Sequence, residues 1–174
     1  PNIDAVRWFA QSVLPHLRLA DPQLRFAIVG RSPTDAVRAL GRIDGVTVTG
    51  EVDDVRGWLA AAAVVVAPLK LARGVQNKVL EAMAMARPVV ASPAAAEGID
   101  HQGTLAVAGD VAEQAATIGR LLADPEAARL LGARARARVI ERYGWDARLA
   151  RLDAVLAAPL RPDKQARLAR ATAV

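Results

Sequence analysis

Apolar side chains recur at Val6, Phe9, Ala10, Val13, Leu14 and Leu17, the three-and-four spacing of one helix face, so the pattern predicts a helix over 3–19 that Pro15 breaks late. The rhythm then changes. RFAIVG at 25–30 is a short apolar run closed by glycine and predicts a strand. SPTDAVRALG at 32–41 predicts a compact helix with Ser32 as N-cap, Pro33 in the first turn and Gly41 as its stop. A strand at 46–50 follows, then a helix at 53–62 whose first turn is acidic, as the helix dipole prefers. VVVAP at 64–68 is the next strand, after which a polar loop leads into a helix spanning 76–86. PVVAS at 88–92 and LAVAG at 105–109 complete the strands. Helices are predicted near 110–123, 125–143 and 145–157. Asp110 with Glu113 opens the first in a capping-box arrangement, and Asp124 ahead of Pro125 opens the second. The tail 158–174 has weak periodicity and is expected to lack stable order, leaving 1–157 as one domain.

Strands that alternate with helices, and are apolar at every position rather than at every second one, predict a mostly parallel sheet covered on both faces. The expected fold class is therefore α/β, doubly wound and Rossmann-like. In such sheets ligands bind outside the carboxyl ends of the strands, where loops meet helix N-termini. Four loops qualify: 30–33, 50–54, 68–78 and 92–100. Neither G-x-G-x-x-G nor a P-loop is present, which argues against a nicotinamide enzyme or an NTPase.

Composition narrows the classes further. The 174 residues, 53% hydrophobic, suit one α/β domain with a real core. No apolar stretch approaches the ~20 residues of a membrane span, and a soluble, cytoplasmic setting is expected. The absence of cysteine excludes disulfides and thiolate metal sites, and two distant histidines, His16 and His101, argue against zinc; no metal or other cofactor is expected. The net charge of +5 is carried by arginine, with only three lysines, Lys70, Lys78 and Lys164. A nucleic-acid surface would use such charge. Between 124 and 144, however, the arginines alternate with Ala, Leu and Val at helical spacing, and aromatics for base stacking make up only 3%. They read as solvated helix faces, and nucleic acid is not an expected partner. The chain opens at Pro1 without an initiator methionine, which suggests part of a longer protein.

The densest polar chemistry lies in LARGVQNKVLEAMAMARPVVAS, 71–92. Gly74 lets the backbone turn closely, so the next helix starts at about Gln76 and presents unpaired N–H groups to the crevice, an anion site. Val79, Leu80, Met83 and Ala86 are its core-facing positions, while Asn77, Lys78 and Glu81 share the opposite side. A diphosphate would suit the helix start and Lys78, and Glu81 could accept hydrogen bonds from the vicinal hydroxyls of a ribose. An ordinary reading stands beside this one: Lys78 and Glu81 as a surface ion pair worth ~0.3 kcal/mol, and Gly74 as a plain turn residue. The residues alone leave both open.

GVQNKVLEAMAMARPVVAS, preceded by GVTVTGEVDDVRGWLAAAAVVVAPL and followed by YGWDARLARL, resembles the C-terminal half of family 4, or group 1, glycosyltransferases of the GT-B fold. Within that family it looks closest to bacterial members associated with exopolysaccharide and exosortase gene sets. The resemblance covers residues 1–156. It implies a retaining, metal-independent transferase of polysaccharide or glycolipid biosynthesis. This chain would bind the nucleotide-sugar donor, and a missing N-terminal domain the acceptor. Carried over by position, Glu81 would hold the ribose diol. Gly74, Val75 and Gln76 would aim amides at diphosphate and sugar, and Gly50, Glu51 and Val52 would line the base, Val52 through its main chain. Gly30 and Arg31 would form another crevice wall, although a plain turn explains Arg31 equally well. The family's first glutamate would fall at position 73, where this chain has Arg73, so the donor sugar contact differs or the guanidinium turns toward phosphate.

The resemblance also implies a strand ahead of PNIDAVRWF that would otherwise leave a sheet position unfilled. It implies self-association of the isolated domain through leucines and alanines near 145–157, and peripheral attachment of the whole enzyme to the inner face of the cell membrane is a further option. Alone, the piece is expected to bind nucleotide without transferring sugar. Two rival classes remain: a GT-B-type sugar-nucleotide epimerase, and a noncatalytic basic binding module.

Overall fold

The first helical stripe forms, and Pro15 does not end it. In the computed structural model, which describes residues 1–144 together with 149, 156 and 157, helix α1 (Asn2–Trp8) passes through a π turn (Phe9–Val13) into α2 (Leu14–Ala20). Pro15 has no N–H to donate, and its ring crowds the carbonyl one turn back. The wider π turn takes up that mismatch, so the helix continues where a break was expected. Ala5, Phe9, Ala10, Val13, Leu14 and Leu17 are buried along one face.

After β1 (Phe26–Val29) the second helix is shorter and later than its pattern suggested. Ser32 is not the N-cap. It adopts a left-handed φ of 51°, Thr34 takes the cap position, and α3 covers only Asp35–Arg38 before tightening into a 3-10 turn at Ala39–Arg42. Gly41 lies inside that turn, and the left-handed turn glycine is Gly45, φ 81°, just ahead of β2 (Val46–Gly50). Helix α4 (Val55–Ala61) starts where Asp54 accepts the Arg56 amide at 2.8 Å. Next come β3 (Val65–Ala67), α5 (Asn77–Ala84), β4 (Val89–Ala91) and the short α6 (Pro93–Ala96). The chain continues through β5 (Ala106–Val107), α7 (Val111–Ala123) and α8 (Pro125–Tyr143). The cap of α7 follows the pattern: Asp110 accepts the Glu113 amide at 2.8 Å while the Glu113 carboxylate accepts the Gly109 amide at 2.7 Å. At α8 the Asp124 carboxylate accepts from Ala127 at 2.9 Å.

Every strand pairing is parallel, as continuous apolar strands predict. The strands form two sheets, β1–β2 and β3–β4–β5, with Phe26 opposite Val46, Val65 opposite Val89 and Val90 opposite Ala106. The core ties them together: Phe9, Val13, Leu14 and Leu17 pack in one cluster with Leu40 and Val46 on one side and Val90, Ala108 and Ile118 on the other. Phe9 and Phe26 meet at 4.6 Å between ring centroids, tilted by 43°. Among the described residues β1 pairs only with β2 and β3 only with β4. Phe26, Ile28, Val64 and Val66 are consequently half-buried rather than enclosed, and α4 buries none of its residues. Residues Pro1–Ile140 form one compact unit.

The arginines of α8 are not all solvated, contrary to expectation. Arg138 is buried at 8% exposure and pairs with Asp100 at 2.6 Å, its Nε also donating to the Asp100 carbonyl at 2.9 Å. Arg136 donates to the Ala84 carbonyl, a natural partner for a cation because the last carbonyls of α5 lack helical donors. Arg129 does stay on the surface, paired with Glu126 at 2.6 Å. The helix expected at 145–157 and the tail 158–174 lie almost wholly outside the described residues. Among those residues no helix is long and apolar enough to cross a membrane, and no group of three acidic or histidine side chains could hold a metal ion.

Candidate functional site

The loop from β3 to α5 begins with Pro68 and Leu69 buried and then emerges, with Lys70, Leu71, Arg73, Gly74 and Val75 exposed. Gly74 has a left-handed φ of 66°, as a close turn requires. Gln76 occupies the N-cap of α5 in an extended conformation, and no side chain caps the helix. Its carboxamide instead turns back to donate to the carbonyls of Gly74 at 3.2 Å and Arg73 at 3.4 Å. No side chain therefore satisfies the first amides of α5, and the positive end of the helix dipole lies behind them.

Helix α5 buries Val79, Ala82 and Met83. Leu80 and Ala86 are only half-buried, and Ala86 lies past the helix end in a left-handed turn at φ 55°. Ala82 replaces them because it follows Val79 by three. Asn77, Lys78 and Glu81 occupy the exposed side, as predicted. Lys78 and Glu81 do not pair. The ammonium reaches across to Asn2 Oδ1 at 2.6 Å, joining the starts of α1 and α5. Partial burial disfavours the charged amine and lowers its pKa from the ordinary 10.5.

The remaining predicted residues sit at the other sheet. Gly30 and Arg31 leave the carboxyl end of β1, and Gly50, φ 73°, closes β2 ahead of Glu51 and Val52. The Gly30 amide donates to the Gly50 carbonyl at 3.2 Å, so these two loops are adjacent. Arg31 and Glu51 are exposed and Val52 is half-buried. Both groups thus lie at carboxyl ends of parallel strands. No hydrogen bond or ion pair among the described residues joins one group to the other.

Sequence reasoning singled out the loop 92–100 without naming its residues, and two of them hold the site. Ser92, buried, receives the Ala95 amide at 3.2 Å as cap of α6 and donates its hydroxyl to the Leu69 carbonyl at 2.5 Å. Gly98 lies against the peptide joining Gly74 and Val75. Ser92 before Pro93 was readable as a helix cap. Nothing local marked the approach of Gly98. An open trough of about 600 Å³ lies beside the start of the β3–α5 loop, lined by α1 residues including Asp4, Arg7 and Trp8 and by Lys70 and Leu71. It contains none of the predicted residues. Lys70 sits over the Trp8 ring at 5.9 Å.

The comparisons with known proteins bear on the family and the fold. The family described as "Glycosyl transferases group 1" matches residues 1–124. The MMP alpha-(1->4)-mannosyltransferase of Mycolicibacterium hassiacum is 36% identical over 140 residues, which cover 76% of this chain and 34% of that protein. Among solved structures, Alr3699/HepE from Anabaena in complex with UDP superposes with a TM-score of 0.70 at 20% identity, covering 86% of this chain and 45% of the other. A sucrose-phosphate synthase from Thermosynechococcus elongatus gives a TM-score of 0.68 at 27% identity, covering 86% and 42%. The chain spans between a third and a half of the length of these relatives. A doubly wound α/β unit with parallel strands and a match over most of its length place the chain in the group 1 glycosyl transferases.

Proposed function

We propose that this chain holds the nucleoside-diphosphate-sugar donor of a glycosyltransferase, and that the whole protein transfers the sugar to an acceptor hydroxyl with retained configuration and without a metal ion. One observation carries the reading. The uncapped start of α5 opens at the carboxyl end of β3 with Lys78 and Glu81 on its exposed side. As the glycosidic bond breaks, the leaving diphosphate gains negative charge. Uncapped amides at Asn77 and Lys78, the helix dipole and the Lys78 ammonium are preorganised to stabilise it. Glu81, one turn further on, accepts hydrogen bonds from the ribose diol. Gly50, Glu51 and Val52 line the base, with Gly30 and Arg31 beside them.

The donor class draws support from a relative solved with UDP and from the mannosyltransferase relative. Arg73, exposed at the turn before Gly74, is a second cation for the diphosphate. The acceptor belongs to a domain outside this chain, in keeping with the greater length of the relatives, and polysaccharide or glycolipid assembly at the inner membrane face is the setting that follows. No general acid or base is assigned.

The test is calorimetric titration of the whole protein with UDP, GDP and ADP. One of them should bind, and Glu81→Ala should weaken it by about 10–100-fold, the loss of one or two hydrogen bonds to a carboxylate. Unchanged affinity in that variant would remove Glu81 from the site, and the absence of binding to all three would remove the donor reading.

A further inference from the structure

Gly98, between α6 and β5, approaches the donor loop more closely than a side chain would permit. A Cβ built there would stand 2.7 Å from the Gly74 carbonyl carbon, 2.7 Å from its oxygen and 3.0 Å from the Val75 nitrogen. These are backbone atoms of the loop ahead of α5, so no flexible side chain could swing clear. Gly98 does not need glycine for its own conformation, since its φ lies outside the left-handed range. Its small size matters only for the approach. The same Gly74 carbonyl accepts from Gln76 Nε2 at 3.2 Å, and Ser92 anchors the loop's beginning at Leu69.

We propose that Gly98 is a positioning residue for the donor: by leaving room for the Gly74–Val75 peptide it sets the direction of the Val75 and Gln76 amides and hence the diphosphate subsite, without touching the nucleotide. The inference rests on the donor reading above. An added methyl would push the peptide plane outward, tilting the amides away from phosphate while leaving the base-side loops at Gly30 and Gly50 in place.

The experiment compares wild type, Gly98→Ala, Glu81→Ala and the surface control Gly57→Ala, where a Cβ meets nothing within 4 Å. Each whole protein is titrated with the diphosphate that wild type binds best among UDP, GDP and ADP, and with the matching nucleoside. Gly98→Ala should lose about tenfold or more in diphosphate affinity, because an overpacked contact of this kind must displace the loop. Its nucleoside affinity should stay within about twofold of wild type, as should both affinities of the control. Equal losses for nucleoside and diphosphate would overturn the proposal, and so would unchanged diphosphate affinity in a background where Glu81→Ala has weakened it. If wild type binds none of the three, the donor reading falls and this one with it. Hydrogen exchange on the wild-type protein gives an independent reading should Gly98→Ala fail to fold. Diphosphate should slow exchange at 74–78 and 97–99 together, and slowing confined to 74–78 overturns the proposal.

Discussion

Gly132, in the middle of α8, offers a decisive test of how that helix is seated. Helix propensity alone favours alanine over glycine by about 1 kcal/mol, so Gly132→Ala on an isolated helix would be stabilising. In the folded protein the new Cβ would lie 2.1 Å from the Ala86 carbonyl oxygen, 2.7 Å from its carbon and 3.2 Å from the Arg87 carbonyl carbon. Carbon–oxygen contacts settle near 3.3 Å, so α8 would have to retreat from the turn after α5 by roughly 1 Å. That retreat loosens the packing of Ala128, Leu131 and Ala135 and stretches the hydrogen bond from Arg136 to Ala84. Overpacking of this kind costs about 1–3 kcal/mol, and the lost bond and the propensity gain, each about 1 kcal/mol, cancel, so a net loss of about 1–3 kcal/mol remains. At about 2–4 °C per kcal/mol, the melting temperature should fall by roughly 2–12 °C. Gly119→Ala on α7 is the matched control, with nothing within 4 Å of its Cβ. It should gain about 0.5–1 kcal/mol. Thermal and urea unfolding of the two variants decide the matter, and a Gly132→Ala protein that melts at or above wild type would refute the close seating of α8.

Ser92→Ala removes both the cap of α6 and the donor to the Leu69 carbonyl, and should cost about 2–3 kcal/mol in urea unfolding; a loss below about 0.5 kcal/mol would mean the hydroxyl does not anchor the loop. For Lys78 the sign is set by desolvation. With the folded pKa below 10.5, the cost of holding a partly desolvated ammonium persists through neutral pH and is relieved only as pH rises through the folded pKa toward 10.5. Bound diphosphate favours the charged form, so affinity should decline on the alkaline side at a lower pH than an ordinary lysine would give. Lys78→Arg keeps its charge and should flatten that decline; the same alkaline decline in both proteins would show that Lys78 does not meet the phosphate.

Much of the fold was legible because it is written in local periodicity. The parallel strands followed from VVVAP and PVVAS being apolar throughout, and α7 and α8 from Asp110 and Asp124 standing where an N-cap must stand. The misreadings have local causes too. Ser32 and Thr34 both precede a helical stripe and both can cap, and only the left-handed backbone at Ser32 decides for Thr34. Pro15 signals a break, yet a buried stripe from Phe9 to Leu17 outweighs one missing donor, and the helix widens instead. The arginines of α8 alternate like a solvated face, and nothing in that rhythm marks Arg138 as the one that meets Asp100, thirty-eight residues earlier in the chain.

The candidate site divides along the same line. Lys78 and Glu81 could be placed on one exposed face because they stand three positions apart, a matter of helical geometry alone. What supports them is non-local: Asn2 beneath Lys78, Ser92 behind Leu69 and Gly98 behind Gly74 all come from other elements and carry no spacing that a one-dimensional pattern could reveal. The same limit applies to the two halves of the site. Among the described residues no ladder joins β1–β2 to β3–β4–β5, so the separation between the Gly30–Gly50 loops and the start of α5 is set by side chains of the core that touch both sheets. Phe9, Val13 and Leu17 share one core cluster with Val46 and Val90, and thereby fix the distance between these two groups of loops.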